Sequence, residues 1–174
     1  HDFDASLAKE VGAFFLASGA QYTGDFGCGR ADYVRAFRKM GLQVDGWDGN
    51  PQTPELSKGD ARVFDLSSPR QLKRGETPIL YDWVMSLEVG EHLPAEYMDA
   101  FLDNLVRHTK HGLVLSWATP GQGGTGHVNE LPNDVIRAHM WRRGFAWDQD
   151  TETVLRASAR LHWFQNTIMV GRRL

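Results

Sequence analysis

The stretch "DFGCGRADY", residues 25–33, closes the short apolar run "YTGDF" and sets two glycines around a cysteine. Glycines two apart let the backbone turn tightly and approach a ligand with no side chain in between. In the dinucleotide fingerprint a third glycine would fall at position 32, where this chain has Asp32. A carboxylate in the first turn of the following helix competes with a pyrophosphate for the same N–H groups and repels its charge. A dinucleotide is therefore disfavoured, whereas a ligand that carries positive charge and no phosphate meets no such penalty.

Outward from this loop the chain alternates helical and extended patterns. Residues 4–19, "DASLAKEVGAFFLASG", predict a helix with Leu7, Val11, Phe14 and Phe15 at helical spacing and Gly19 as its stop. "YTGDF" follows as a strand, Asp32–Met40 as a helix closed by Gly41, and "LQVDGWD" as a second strand. "ARVFDL" and "YDWVMSLEV" read as the third and fourth strands, "AEYMDAFLDNLVRHTK" as a helix, and "GLVLSWA" as a fifth strand apolar enough to be buried on both faces. "PGQGGTGHVNE" reads as a mobile loop, followed by the helix "NDVIRAHMWRRG" and two closing strands, "FAWDQ" and the long "HWFQNTIMVGRR", with little between them. This order predicts an α/β fold: a Rossmann-like, seven-stranded, mostly parallel sheet with helices on both faces and an antiparallel C-terminal hairpin.

With 174 residues, 41% hydrophobic and 24% charged, the chain is expected to form one domain over residues 1–174. A net charge of −3 with mixed signs offers no basic footprint, so nucleic acid is not expected as a partner. One cysteine excludes an internal disulfide and a Cys-x-x-Cys metal knuckle. No apolar run reaches the roughly 18 residues of a membrane span, so a cytoplasmic location is expected; since the chain starts at His1, a preceding segment can have been removed.

In such a sheet ligands bind beyond the carboxyl ends of the strands, where Asp25 with Gly27 and Gly29, then Asp48, Asp65, and the Glu88–His92 group fall. These residues resemble the Rossmann-like (class I) S-adenosylmethionine-dependent methyltransferases. "DFGCGRA" is similar to the first family motif, Asp48 in "VDGWDGN" to the second-strand acid, "VFDLSS" with Asp65 to the adenine segment, and "YDWVMSLEVGEHLP" to the fourth-strand motif. The resemblance covers nearly all 174 residues in the right order. It departs at Ala31, where a third glycine is usual and where the methyl group is expected to narrow the space near the cofactor, and in a short N-terminal region.

The resemblance implies S-adenosylmethionine as cofactor, S-adenosylhomocysteine as product, and no metal. It implies Gly27 and Gly29, around Cys28, near the methionine part, and Asp25 holding the loop or the ammonium group. Asp48, beside Gly49, would accept from the ribose hydroxyls; Asp65 would accept from the adenine amino group, Leu66 would border the ring, and Leu87 completes the set. The chemistry implied is in-line methyl transfer to a small-molecule acceptor, less readily to a protein side chain, with alignment contributing roughly 7–11 kcal/mol and a positioned base about 10²- to 10⁴-fold. His92 is the candidate base, with Glu91 or Glu88 to orient it or to hold a cationic acceptor; a capping or packing histidine before Pro94 is the other reading. His127 and Asn129, on the glycine-rich loop, are candidates to reach the acceptor if that loop is a lid and not a connection. Trp117 and Trp163 fit either a pocket wall or the core. His108 and His111 read as solvated helix-end residues, and Cys28 as a small packing group. Two alternatives stand beside the enzyme: a module that binds S-adenosylmethionine without turnover, and a nucleotide-dependent oxidoreductase.

Overall fold

The computed structural model describes residues 2–174. Seven strands form one sheet in the order β3-β2-β1-β6-β7-β9-β8. They are β1 (Tyr22–Phe26), β2 (Gln43–Asp48), β3 (Ala61–Val63), β6 (Tyr81–Ser86), β7 (Thr109–Leu115), β8 (Phe145–Trp147) and β9 (Met169–Arg173). A separate two-stranded ribbon, β4 (Lys73–Arg74) with β5 (Thr77–Pro78), lies between β3 and β6 in the chain. The pairs β3/β2, β2/β1, β1/β6 and β6/β7 are parallel, and β9 runs antiparallel between β7 and β8. This is the expected α/β architecture with its antiparallel C-terminal pair.

Successive residues of the sheet point to opposite faces, and each face carries its own core. On one side Trp83, Met85 and Val114 meet α1 (Ala5–Ala17), α2 (Asp32–Lys39) and α6 (Gln149–Ser158) through Val11, Phe15, Val34, Phe37 and Leu155. On the other, Phe26, Val84, Leu113 and Leu115 meet α4 (Met98–Arg107) and α5 (Asn133–Trp141) through Phe101, Leu102, Leu105, Ile136 and Met140. A short α3 (Thr53–Leu56) completes the path from β2 to β3.

The closing strands are not joined by a turn. Asp148 caps α6 by accepting the Thr151 N–H at 3.0 Å, and a four-residue α7 (Phe164–Thr167) takes the first half of the expected long strand, so β9 begins only at Met169. The helix expected over 95–110 ends at Arg107, and Thr109 already opens β7. His108 is a second correction: it is fully buried, donating from Nδ1 to the Asn104 carbonyl (2.6 Å) and accepting the Leu72 N–H at Nε2 (2.9 Å), and burial lowers its pKa. It ties residue 72 to the end of α4 instead of facing solvent.

The order of β1 and β6 matters most for function. The chain winds outward from β1 through β2 to β3, then returns to place β6 on the other side of β1, and a crevice opens at that reversal, beyond the carboxyl ends of the strands.

Candidate functional site

A cavity of about 880 Å³ occupies this crevice. Its walls come from the ends of β1, β2, β3 and β6, from the loop after β7, and from the segment before α7. At one end lie Asp25, Gly27, Cys28, Asp48, Gly49, Asp65, Leu66 and Leu87; at the other, Glu88, His92, Gln122, Thr125, His127 and Trp163.

The loop after β1 is bare backbone for a steric reason. Gly27 sits at φ +86°, and a Cβ there would lie 2.2 Å from Val89 Cγ2. Its N–H and that of Cys28 both donate to the Trp47 carbonyl, at 2.6 and 3.1 Å. Asp48 ties the two cavity loops together: Oδ2 accepts the Gly29 N–H (2.8 Å) and Oδ1 the Asn50 N–H (2.9 Å). Asp25 is 3% exposed and its Oδ2 has no hydrogen-bond partner. Burial, reinforced by the Asp48 carboxylate, pushes its pKa up to about 8. The Cys28 thiol is raised as well, first by burial and then by Asp25 and Asp48, which makes it an inert packing group.

Beyond β6 the backbone bends sharply. Glu88 has φ +52°, its N–H donates to Ser116 Oγ (2.9 Å), and its Oε2 accepts from Gln122 Nε2 at 2.6 Å. Gly90 lies against Trp117, whose ring would meet a Cβ at 2.0 Å. This brings Glu91 inward: it is 0% exposed, and neither carboxylate oxygen has a hydrogen-bond partner. Burial, followed by repulsion from Glu88, drives its pKa well above the carboxylate range. His92 faces the cavity, its Nδ1 hydrogen-bonded to the Gly126 carbonyl at 3.2 Å, and burial followed by the neighbouring His127 lowers its pKa. The His92 and His127 rings meet edge to face at 4.9 Å.

The glycine-rich loop is built around one acid. Glu130 accepts the N–H groups of Gly121 and Gly123, each at 2.8 Å, and also bonds His127 Nδ1 at 2.8 Å. The Glu91 carbonyl accepts from Val128 and Asn129, and the Asn129 carbonyl accepts from Trp117 Nε1 at 2.7 Å. These bonds bring His127 against the Glu91–His92 turn.

No protein-family model matches the chain, and no curated protein matches it. Solved structures do. The chain is similar to the magnesium protoporphyrin IX methyltransferase of Synechocystis PCC 6803 with bound S-adenosylmethionine, at 21% identity and TM-score 0.69 over 98% of this chain and 79% of that one. It is also similar to CalS10, an amino pentose methyltransferase from Micromonospora echinaspora (16%, TM-score 0.70, 96% and 90%). The methyltransferase domain of the bacterial CtHen1 matches at 18% and TM-score 0.64, over 97% and 98%. The fold is that of the class I S-adenosylmethionine-dependent methyltransferases.

Within this methyltransferase fold every residue expected at the cofactor end borders the cavity except Gly29, whose N–H is held by Asp48 behind it. Asp65 borders it while also capping its own turn, accepting from the N–H and Oγ of Ser67 and from Ser68 Oγ; these bonds hold its pKa below the usual value. Ala31 differs from the expectation: it is fully buried at φ +65° and its methyl group joins the core under α2 instead of narrowing the cavity. Asn129 is also turned away, with its backbone engaged and its side chain buried. Trp117 is core and Trp163 is cavity wall. Gln122 and Glu130 were missed as site residues; the visible signal was two polar side chains bracketing three glycines.

Proposed function

We propose that this chain is an S-adenosylmethionine-dependent methyltransferase acting on a small-molecule acceptor, with cofactor and acceptor meeting in the one cavity. The observation that carries the reading is the cradle after β1. Gly27 leaves no room for a side chain, and Asp25 presents an unpartnered buried carboxyl at the same cavity end, which suits an ammonium group. The cofactor would supply a methyl group on a sulfonium that leaves as a neutral thioether.

Each half of the cavity then has a task. Gly27 and Gly29 bring backbone close, Asp48 and Gly49 offer acceptors for ribose hydroxyls, and Asp65 with Leu66 borders the adenine. Leu87, Met85 and Leu93 also border the cavity and give it apolar wall. On the acceptor side, His92, with its pKa lowered, is available to take a proton at Nε2, because Nδ1 is committed to the Gly126 carbonyl. Asp32 sits at the start of α2, pairs with Arg35 at 2.7 Å and does not border the cavity, so its charge is met by Arg35 and does not choose between the ligands.

Thermal unfolding tests the reading. At a hundredfold excess over its dissociation constant a ligand adds about 2.7 kcal/mol, which for a chain of this size raises the midpoint by roughly 5–10 °C. S-adenosylhomocysteine is expected to produce that rise and NAD none. A rise with NAD alone would make the oxidoreductase the better reading.

A further inference from the structure

We propose that Glu91, His92 and His127, backed by Glu88, form a binding site for a first-row divalent cation such as Mn²⁺, Co²⁺ or Zn²⁺. One ligand atom from each of the three lies within 4.8 Å of the others. Ligand atoms around a tetrahedral cation at about 2.1 Å are roughly 3.4 Å apart, so side-chain shifts of up to about an ångström close the set.

Three observations point to a ligand. First, Glu91 is 0% exposed with both oxygens unpartnered, although it lies 4.0 Å from His127 Nε2; a buried carboxylate left open toward two imidazoles is what a cation would complete. Second, both histidines are already oriented from behind. His92 Nδ1 bonds the Gly126 carbonyl and His127 Nδ1 bonds the Glu130 carboxylate, so each ring keeps its Nε2 lone pair free. A carboxylate or carbonyl bonded to one ring nitrogen is the usual support for a metal-binding imidazole at the other. Third, the backbone around these side chains is shaped to hold them. Glu130 gathers Gly121 and Gly123, Glu88 takes a left-handed φ, and a Cβ on Gly124 would lie 2.4 Å from His127 Nε2.

Two imidazoles with carboxylate select a borderline transition cation over Ca²⁺ or Mg²⁺, which prefer all-oxygen sets. Glu88, His92 and His127 border the cavity, so a cation there would face the acceptor end. The site stands on its own geometry and goes beyond the methyl-transfer reading; with a cation bound, His92 Nε2 is a ligand, and His92 takes the proton only in the metal-free chain.

The experiment is a Co²⁺ titration of the full chain with no cofactor present, read by visible absorption and by calorimetry. One equivalent is expected to bind and to produce ligand-field bands. Glu91→Gln and His127→Ala are each expected to abolish the bands, and Glu130→Gln to weaken binding by about 10- to 100-fold, while His139→Ala, on α5, changes nothing. Thermal midpoints check folding; if Glu91→Gln does not fold, His127→Ala, on the loop, decides. Absence of a one-equivalent site at millimolar Co²⁺ overturns the inference and leaves Glu91 a buried neutral acid. Binding that survives both substitutions overturns it too. A chain that binds S-adenosylhomocysteine but not Co²⁺ loses this site alone, and one that binds Co²⁺ but not S-adenosylhomocysteine loses the methyltransferase reading alone.

Discussion

Four acidic side chains are 0–4% exposed, and they divide cleanly by place. Under the α1/α6 layer, Glu152 accepts from Arg137 at 2.5 Å and from the Val170 N–H at 3.0 Å, and Asp4 accepts from the N–H groups of Leu7, Arg160 and Leu161. At the cavity, Asp25 has one unpartnered oxygen and Glu91 has two. A buried polar group without partners costs of the order of 1–3 kcal/mol, more when charged, so a fold does not retain two such groups for stability. Paired acids hold this structure together; unpaired ones mark where something else is to bind.

The contrast is sharpest at the two glutamates. Glu152→Ala removes the partner of Arg137 and is expected to destabilise by about 3 kcal/mol, the lower end for a broken buried pair because Arg137 keeps some water contact. Glu91→Gln is expected to cost nothing or to stabilise. Chemical denaturation of the two variants makes the comparison, and equal losses would break it.

The aspartates give opposite pH dependences. Asp25 is raised in the fold to about 8 from an ordinary value near 3.8, so the folded state binds the extra proton. Stability from this residue is full below pH 4 and declines until about pH 8. Asp25→Asn is therefore expected to be more stable than the parent by a few kcal/mol at pH 8, with the gap closing toward pH 4. For Asp4 burial pushes upward, yet the backbone N–H groups of Leu7, Leu161 and Arg160 together hold it below its ordinary value. Its contribution is present above pH 4 and lost as pH falls further. Asp4→Asn should cost about 1 kcal/mol at pH 7 and progressively less in acid, as for a lost helix cap. Unfolding free energies from about pH 2 to 8 decide both.

The smallest effect tests whether backbone strain follows the same division. Of the three non-glycine residues at positive φ among those described, Ala31 and Glu88 lie beside the cavity loops and Lys58 ends α3. Ala31→Gly is expected to stabilise by up to about 1 kcal/mol by relieving the left-handed alanine, readable as a small rise in the unfolding midpoint.

The parallel half of the sheet was legible chiefly through β1 and β6, apolar runs followed by helices of clear period, α2 and α4. The C-terminal half was less so. Residues 149–158 carry only Val154 and Leu155 as large apolar groups, and the one visible start signal was Asp148 three residues before Thr151. "WFQNTI" is rich in strand-favouring residues, yet Phe164 and Thr167 are buried in a short helical turn, so tertiary packing overrides local preference. At the site, Asp25, Asp48 and the Glu88–Glu91–His92 group follow strand ends and could be read directly. The meeting of His127 with Glu91 could not, because 35 intervening residues and the Glu130 hub bring them together.

The measurement that tests the central claim most directly is calorimetric titration of S-adenosylhomocysteine into the parent chain and into Gly27→Ala. The parent is expected to bind one equivalent, and the variant, whose methyl group strikes Val89 at a left-handed φ, to lose binding while its fold persists. No binding to the parent, or equal binding to both, would contradict the assignment of this cavity to the cofactor.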